Sequence, residues 1–338
     1  MNGYVIIILT IPHASVFFED MQTWGFLFLG DSMHQKEFKT IDEQLTILKS
    51  RGLNIIDEEV FKNFLLNNNY YRVSGYTLSL RKNDVFDKKI TSSDIIDIYN
   101  CDAEMRNVLF EALVKVECRI KSIFAYTYSM ITKDPYDYKN IDNYCIEPYK
   151  IKPNDKDYAK IAAQRYNTFY KIIGKVDKVK SQDEKYELYL KHYKDKYDDK
   201  LPLWIYVELM TFSDITQLFD LLTLKIKNQI VKFVGYPKVS VLSKHLYCLS
   251  LLRNFCAHGH RLYGRKFITK PILDSANSSK LLIVNGNAID DKLYSYYLAL
   301  QQILLTKDKD ILIEKIKKIF MKYKSITIDE YGFPLSWK

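Results

Sequence analysis

The chain has 338 residues, of which 47% are apolar and 27% charged, and a formal net charge of +9 at pH 7. This length and apolar share exclude an intrinsically disordered protein and allow a substantial core, built as one large domain or two modest ones. The basic balance, with an isoelectric point near 9.0, favours an anionic partner, nucleic acid foremost, and is equally what a lysine-biased solvated surface would give.

Residues 1–32 contain no Lys or Arg and three acids, Glu19, Asp20 and Asp31. Their apolar stretch from Val5 to Ile11 is too short to span a bilayer, and a signal peptide would need a positive start. The segment reads as an atypical extension. Gly30-Asp31-Ser32 stands just before Met33, where the codons of a bacterial ribosome-binding sequence would fall, so the native chain is expected to start at Met33. A short membrane-surface or docking segment is the alternative, disfavoured by the missing cationic anchors. Residues 33–338 then form a single domain, with 33–92 as an N-terminal helical part and 93–338 as the main body.

From Ile41 the periodicity is helical. Ile41, Leu45 and Leu48, then Ile55, Ile56, Val60 and Phe64, recur at three- to four-residue spacings on either side of Gly52, which predicts two short helices. From about Ser93 to Met130 the residues Ile95, Ile98, Met105, Leu109, Leu113, Val116, Ile120 and Phe124 predict one long helix, broken at most once. Ser92, Ser93 or Asp94 are its candidate N-caps. Between Gly174 and Lys200 Lys, Asp, Glu and Tyr dominate, as on a solvated helix or excursion. Pro202 suits the first turn of a helix through Trp204, Val207 and Met210, and Ser213 or Asp214 can cap the next.

Val241 to Cys256 is apolar nearly all round, as a buried helix would be. Asp274–Ser279 reads as a polar loop, Leu281–Val284 with Asn285-Gly286-Asn287 as a short strand and turn, and Asp290 opens another helical run. The last helix carries Ile311, Leu312, Ile316, Ile319, Phe320 and Tyr323 on one face. The fold class is all-α, a helical bundle with an N-terminal helical extension and at most a short β-hairpin. The five cysteines, 101, 118, 145, 248 and 256, are odd in number and scattered among apolar neighbours. They read as reduced core residues of a cytoplasmic protein, with no stable membrane association expected.

One segment concentrates phosphate chemistry: Arg253-Asn254-Phe255-Cys256-Ala257-His258-Gly259-His260-Arg261-Leu262-Tyr263-Gly264-Arg265. Lysine is the habitual cation of this chain, yet three of its nine arginines fall here. Choosing arginine points to the flat bidentate guanidinium rather than charge alone. Histidine adds a proton carrier near neutral pH. Burying Arg253 and Asn254 at the end of an apolar helix requires partners or a wet cleft. On a continuing helix Asn254, His258, Arg261 and Arg265 would share one side, although Gly259 and Gly264 argue against full continuation. Cys256, His258 and His260 alternate and so point apart, and no fourth ligand has fitting spacing; no metal and no cofactor are expected.

Arg253–His258, continued by His260–Arg265, closely resembles the signature of AbiD/AbiF-like abortive-infection proteins of the HEPN ribonuclease superfamily. The order of further stretches agrees: Asn69-Tyr70-Tyr71-Arg72-Val73-Ser74-Gly75-Tyr76, Lys191-His192-Tyr193, Leu201-Pro202-Leu203-Trp204 through Glu208–Phe212, and Tyr331-Gly332-Phe333-Pro334 with Trp337. The resemblance spans roughly Lys36 to Trp337 and omits the atypical extension. It implies a HEPN-type bundle, with 93–338 as its core, and a metal-independent endoribonuclease of a bacterial antiphage system. Its reaction would be attack of a 2′-hydroxyl on the adjacent phosphate, leaving a 2′,3′-cyclic phosphate and a 5′-hydroxyl.

In those terms Arg253 holds the phosphate, His258 transfers a proton, and Asn254 orients the imidazole or contacts RNA. Arg261, Arg265, His260, Arg72, Tyr71 and Arg119 are candidate RNA contacts. Most also have a plainer role: helix-end charge compensation for Arg261 and Arg265, a supporting polar contact for His260, packing for Tyr71, a buried pair with Glu117 for Arg119. The chain holds one such motif, so the resemblance implies a homodimer with a composite site, acting on RNA and in some relatives associated with a small regulatory non-coding RNA. HEPN toxins governed by nucleotidyltransferase antitoxins place a tyrosine where His260 stands, which sets this chain apart from them. The alternative is a catalytically weak HEPN dimer that binds RNA or protein.

Overall fold

The structure is a computed structural model that describes residues 37–147, 153–324 and 326–337. The reading of residues 1–32 and of a start at Met33 lies outside the described residues. Helices dominate, as the apolar spacing predicts. The N-terminal part folds as α1 (Ile41–Ser50), α2 (Glu58–Asn68), α3 (Tyr70–Tyr76) and a hairpin of β1 (Arg81–Lys82) and β2 (Val85–Phe86). Its small core joins Leu45, Leu48, Phe61, Leu65, Val73 and Phe86 to Ile95 of the next helix. The second of these helices is rotated against expectation. Val60 and Ile56 are exposed and Phe61 and Leu65 are buried, because Asp57 caps the helix and leaves Ile55 and Ile56 outside it.

The long helix α4 runs unbroken from Ser92 to Thr132, about 60 Å at 1.5 Å per residue. Its N-cap is Thr91, one residue before the expected positions, and Asp94 answers from the third helical position. The Asp94 amide donates to Thr91 Oγ1 at 3.3 Å and the Thr91 amide to Asp94 Oδ2 at 2.8 Å, a reciprocal capping box. Thr91→Ala is expected to cost about 1 kcal/mol, measured as a lowered urea midpoint; an unchanged midpoint would remove the box from the helix's energetics.

The bundle continues with α5 (Tyr158–Asp183), α6 (Leu188–Lys196), α7 (Leu203–Tyr206), α8 (Phe212–Leu221), α9 (Leu224–Val234), α10 (Val239–Ala257), the short α11 (Ser275–Ser278), α12 (Leu293–Ile303) and α13 (Thr306–Lys322). The Gly174–Lys200 stretch is largely solvated helix, buried at Val176 in α5 and Leu190 in α6. The cap of α8 is Thr211, paired with Asp214 in a second capping box, rather than Ser213 or Asp214 itself. Asp274–Ser279 closes into α11, with Asp274 as its cap.

The expected strand and turn form a hairpin of β3 (Ile283–Val284) and β4 (Asn287–Ala288). Asn285 and Gly286 take φ of 50° and 78°, the two positive values of a type I′ turn. The hairpin of β1 and β2, turning at Asn83 and Asp84, was not predicted.

α4 is the axis of the bundle. It packs against α7, α9, α10 and α13, while α10 is also covered by α8 and α12. The core-facing stripe of α4 includes Ile98, Met105, Leu109, Val116, Ile120 and Phe124, and also four charges: Asp102, Arg106, Glu117 and Lys121. They form two buried pairs, Asp102 with Arg106 and Glu117 with Lys121, each spaced four residues apart. Each pair lies under part of the segment Arg253–Arg265.

Candidate active site

Helix α10 lies antiparallel on α4, so its last turns meet Glu117 and the residues beyond it reach Asp102. Arg253 donates from Nε to Glu117 Oε2 at 3.2 Å, and Glu117 Oε1 is 3.2 Å from Lys121 Nζ. The guanidinium also stands over the Phe110 ring, 5.5 Å from its centroid. It is therefore backed by a buried carboxylate and an aromatic face, with its side chain 27% exposed. Such backing holds the fork in one orientation without neutralising it completely, since Lys121 shares the same carboxylate. Asn254 is half-buried one turn before His258.

The helix stops at Ala257. Gly259 takes φ of 66°, its amide donates to Cys256 O at 3.2 Å, and the His260 amide donates to Phe255 O at 2.9 Å. These two bonds define a Schellman cap, completed by the His260 ring edge-on to Phe255 at 5.5 Å. The polar side that would have continued along a helix thus ends at His258. This residue is exposed as the C-cap, with the His260 ring 6.3 Å away. A side chain at position 259 would adopt a disfavoured backbone and meet Arg72 Nη2 at 3.4 Å.

The loop that follows is tied at nearly every residue. Arg72 of α3 donates to the Gly259 carbonyl and, from Nε, to Tyr99 Oη at 3.0 Å. Arg106 Nη1 reaches the His260 carbonyl at 3.5 Å. The amides of Leu262 and Tyr263 donate to the Asp102 carboxylate at 3.1 and 2.9 Å, and the Gly264 amide donates to Glu330 O at 3.2 Å. Asp102 also accepts Tyr76 Oη at 2.8 Å and Tyr331 Oη at 3.0 Å.

The remaining candidate residues separate. Arg265 stacks on Phe255 at 4.2 Å, close to the histidines. Arg261 turns inward over Tyr76 at 6.0 Å, where burial lowers its pKa and the Asp102 and Glu330 carboxylates oppose that shift. Tyr71 is 75% exposed, next in sequence to Arg72 but facing solvent. Arg119 is not brought to this site. It donates to the Ile303 carbonyl at the end of α12, and Glu117 pairs with Lys121 and Arg253 instead. His192 is exposed beside Tyr193 and Tyr197.

Asp102, Arg106, Glu117 and Lys121 are not among the site residues singled out by sequence. The available signal was charge at core-facing positions of a predicted apolar helix. No group of three or more His, Cys, Asp or Glu side chains that could hold a metal ion occurs among the described residues. No helix among them is long and apolar enough to cross a membrane.

Two histidines near the motif are shifted the same way. Burial pushes His260 below its usual range, helped by the nearby Arg265, His258, Arg72 and Arg106 charges. His245, buried on α10 between Tyr236 Oη at 2.9 Å and Ile272 O at 2.7 Å, is also lowered, chiefly by burial. A folded-state pKa below the unfolded value of 6.5 means that the unfolded chain binds protons first. Their contribution to stability is therefore full above pH 6.5 and is lost as pH falls through the lowered values. The melting temperature is expected to drop between about pH 7 and about pH 5.5; a rise over that interval would contradict the assignment.

The helical body with its buried charge pairs, and the segment Arg253–Arg265 at the end of α10, define an all-α protein with a polar site at a helix terminus. The sequence model of the Abi-like protein family matches residues 63–264, from α2 to the tethered loop. The chain belongs to the Abi-like protein family. No curated protein and no solved structure matches it. The closing motif lies beyond the matched span and has its own structural reason. At Gly332, where φ is 80°, a Cβ would come within 2.8 Å of Lys292 Cβ, while Tyr331 and Phe333 are fully buried.

Proposed function

We propose that this protein is an RNA-cleaving effector of abortive infection, of the AbiD/AbiF-like kind within the HEPN superfamily, working in the cytoplasm as a homodimer. Membership of the Abi-like family supports a role in abortive infection. The observation that carries the chemical reading is the pairing of an anchored arginine with an exposed histidine at one rigid helix end. Arg253 is held through Nε by Glu117, which leaves its two terminal amino groups to grip a phosphate and stabilise the charge of a pentavalent transition state.

The reaction forms a P–O2′ bond and breaks the P–O5′ bond. One proton leaves the 2′-oxygen and one is delivered to the departing 5′-oxygen. His258 performs one of these transfers in each chain, and in a dimer the second His258 performs the other. Asn254 orients the imidazole or contacts the RNA. Arg265 and Arg72, beside His260, supply positive charge that draws in the flanking phosphates. Exposed Tyr71 offers a ring for base stacking.

Dimerisation is supported by the outward side of α10. Lys244, Tyr247, Leu251 and Asn254 are half-buried and lead to His258 at alternating spacings of three and four, as a helix seam requires. Two such helices face to face would bring two motifs together.

The test is incubation of the full chain with RNA in excess EDTA, followed by analysis of product ends. Cleavage to a 2′,3′-cyclic phosphate and a 5′-hydroxyl is expected, with no cleavage of the same sequence made as DNA, which lacks the nucleophile. Cleavage of DNA, or abolition of activity by EDTA, would defeat this chemistry. RNA binding without cleavage would move the protein to the class of binding modules.

A further inference from the structure

Asp102 is fully buried and accepts hydrogen bonds from Tyr76, Arg106, Leu262, Tyr263 and Tyr331. Apart from Arg106, these donors come from three distant stretches: α3, the loop after α10, and the turn Ile328–Tyr331. A charge on the apolar stripe of a core helix is costly unless it is fully satisfied, and nothing about helix packing demands one there. What the carboxylate achieves is specific. The Leu262 and Tyr263 amides lie in a loop with no strand or helix partner of their own, and buried amides need an acceptor. Asp102 supplies it, and Arg106 extends the hold to the His260 carbonyl.

We propose that Asp102 is the positioning residue of the site: it fixes the loop from Gly259 to Gly264 and so sets the angle at which the His258 and His260 imidazoles leave α10. The activity readout of this proposal rests on the ribonuclease reading; its structural readout does not. Helix α10 is held by its own hydrogen bonds and by α8 and α12, so loosening the loop leaves the helix and Arg253 in place. Losing Asp102 also frees Tyr76, Arg106 and Tyr331, but on α10 its effect is confined to the end that carries the two histidines. A purely structural role would instead disturb the molecule throughout.

The experiment uses the full chain with isotopically labelled histidine, comparing the unaltered protein with Asp102→Asn and Tyr331→Phe. In the asparagine variant the amide group must oppose some of the five donors; the phenylalanine variant withdraws one donor only and serves if the first does not fold. Imidazole spectra are recorded with His245, about 3.6 turns before His258 along α10, and His192 on α6 as internal references. The imidazole resonances of His258 and His260 are expected to move in both variants, more in Asp102→Asn, while those of His245 and His192 stay. In parallel, kcat for RNA cleavage is expected to fall roughly a hundredfold in Asp102→Asn, with KM changed by less than about twofold.

Unmoved His258 and His260 would overturn the proposal, and so would equal shifts at all four histidines. If the unaltered protein cleaves no RNA, the ribonuclease reading fails on its own account. The histidine spectra then still decide the role of Asp102.

Discussion

Arg253→Ala and His258→Ala are each expected to lower RNA cleavage by about a thousandfold or more, the scale on which proton transfer and transition-state charge stabilisation are lost. The two substitutions should leave folding nearly intact, for different reasons. His258 is an exposed C-cap whose backbone, not its ring, continues the Schellman turn. Removing the Arg253 side chain leaves Glu117 paired with Lys121 at 3.2 Å, so no buried carboxylate is stranded. Arg253→Lys is expected to be nearly as inactive as the alanine variant, because an ammonium cannot keep the Glu117 anchor and offer a fork to phosphate at once. Melting temperature and RNA cleavage in EDTA, measured on the same preparations, check both halves. If both alanine variants retain cleavage, the site is elsewhere.

Arg106→Ala is expected to be among the most destabilising single changes in the chain, by about 3–5 kcal/mol. The side chain is 7% exposed and is the only cation among the five donors to Asp102. Its loss removes the cation paired with a fully buried carboxylate and releases Tyr76 Oη, bonded to it at 3.1 Å, and the His260 carbonyl. The surface pair of Lys318 with Glu314 has side-chain exposures of 71% and 68%. Lys318→Ala should shift stability by less than about 0.5 kcal/mol. Urea midpoints of the two variants test the contrast. A small effect at Arg106 would mean that the tyrosines and loop amides satisfy Asp102 unaided.

Much of the fold was legible because apolar spacing is a local property. The stripe from Ile95 to Phe124 predicted α4, and Asn285-Gly286 predicted the turn of the second hairpin by its demand for positive φ. Legibility fell off wherever a choice depended on neighbours. Thr91 and Thr211 cap α4 and α8, yet the residues just after them looked as suitable. A capping box spreads its polar residues over four positions, and only backbone conformation tells cap from partner. At α2 the periodicity was correct and the phase was not. Asp57 starts the helix after Ile55 and Ile56, which turns Val60 outward and Phe61 inward.

The segment from Arg253 to Arg265 was legible in composition and not in shape. Arginine chosen over lysine, with histidine five residues on, marked Arg253 and His258. The directional stripe through Arg261 and Arg265 did not survive, because Gly259 reverses the chain into a Schellman cap and sends Arg261 inward. Arg119 looked equivalent to the other arginines in sequence. It sits two positions from Glu117 on α4, about 200° around the helix, and is spent on the end of α12.

What the sequence by itself determined is the class of structure, the family signature and the identity of the two residues on which the proposed chemistry depends. These are set by spacing and residue type along the chain. Only the tertiary structure decided what holds those residues. Asp102 and Glu117 are ordinary acids in the sequence of a long helix. They become anchors because α10 folds back along α4, bringing Arg253 to one carboxylate and the Leu262 and Tyr263 amides to the other. Hydrogen bonds between residues more than a hundred positions apart depend on how helices pack, and no local pattern encodes which distant donor a buried acid will meet.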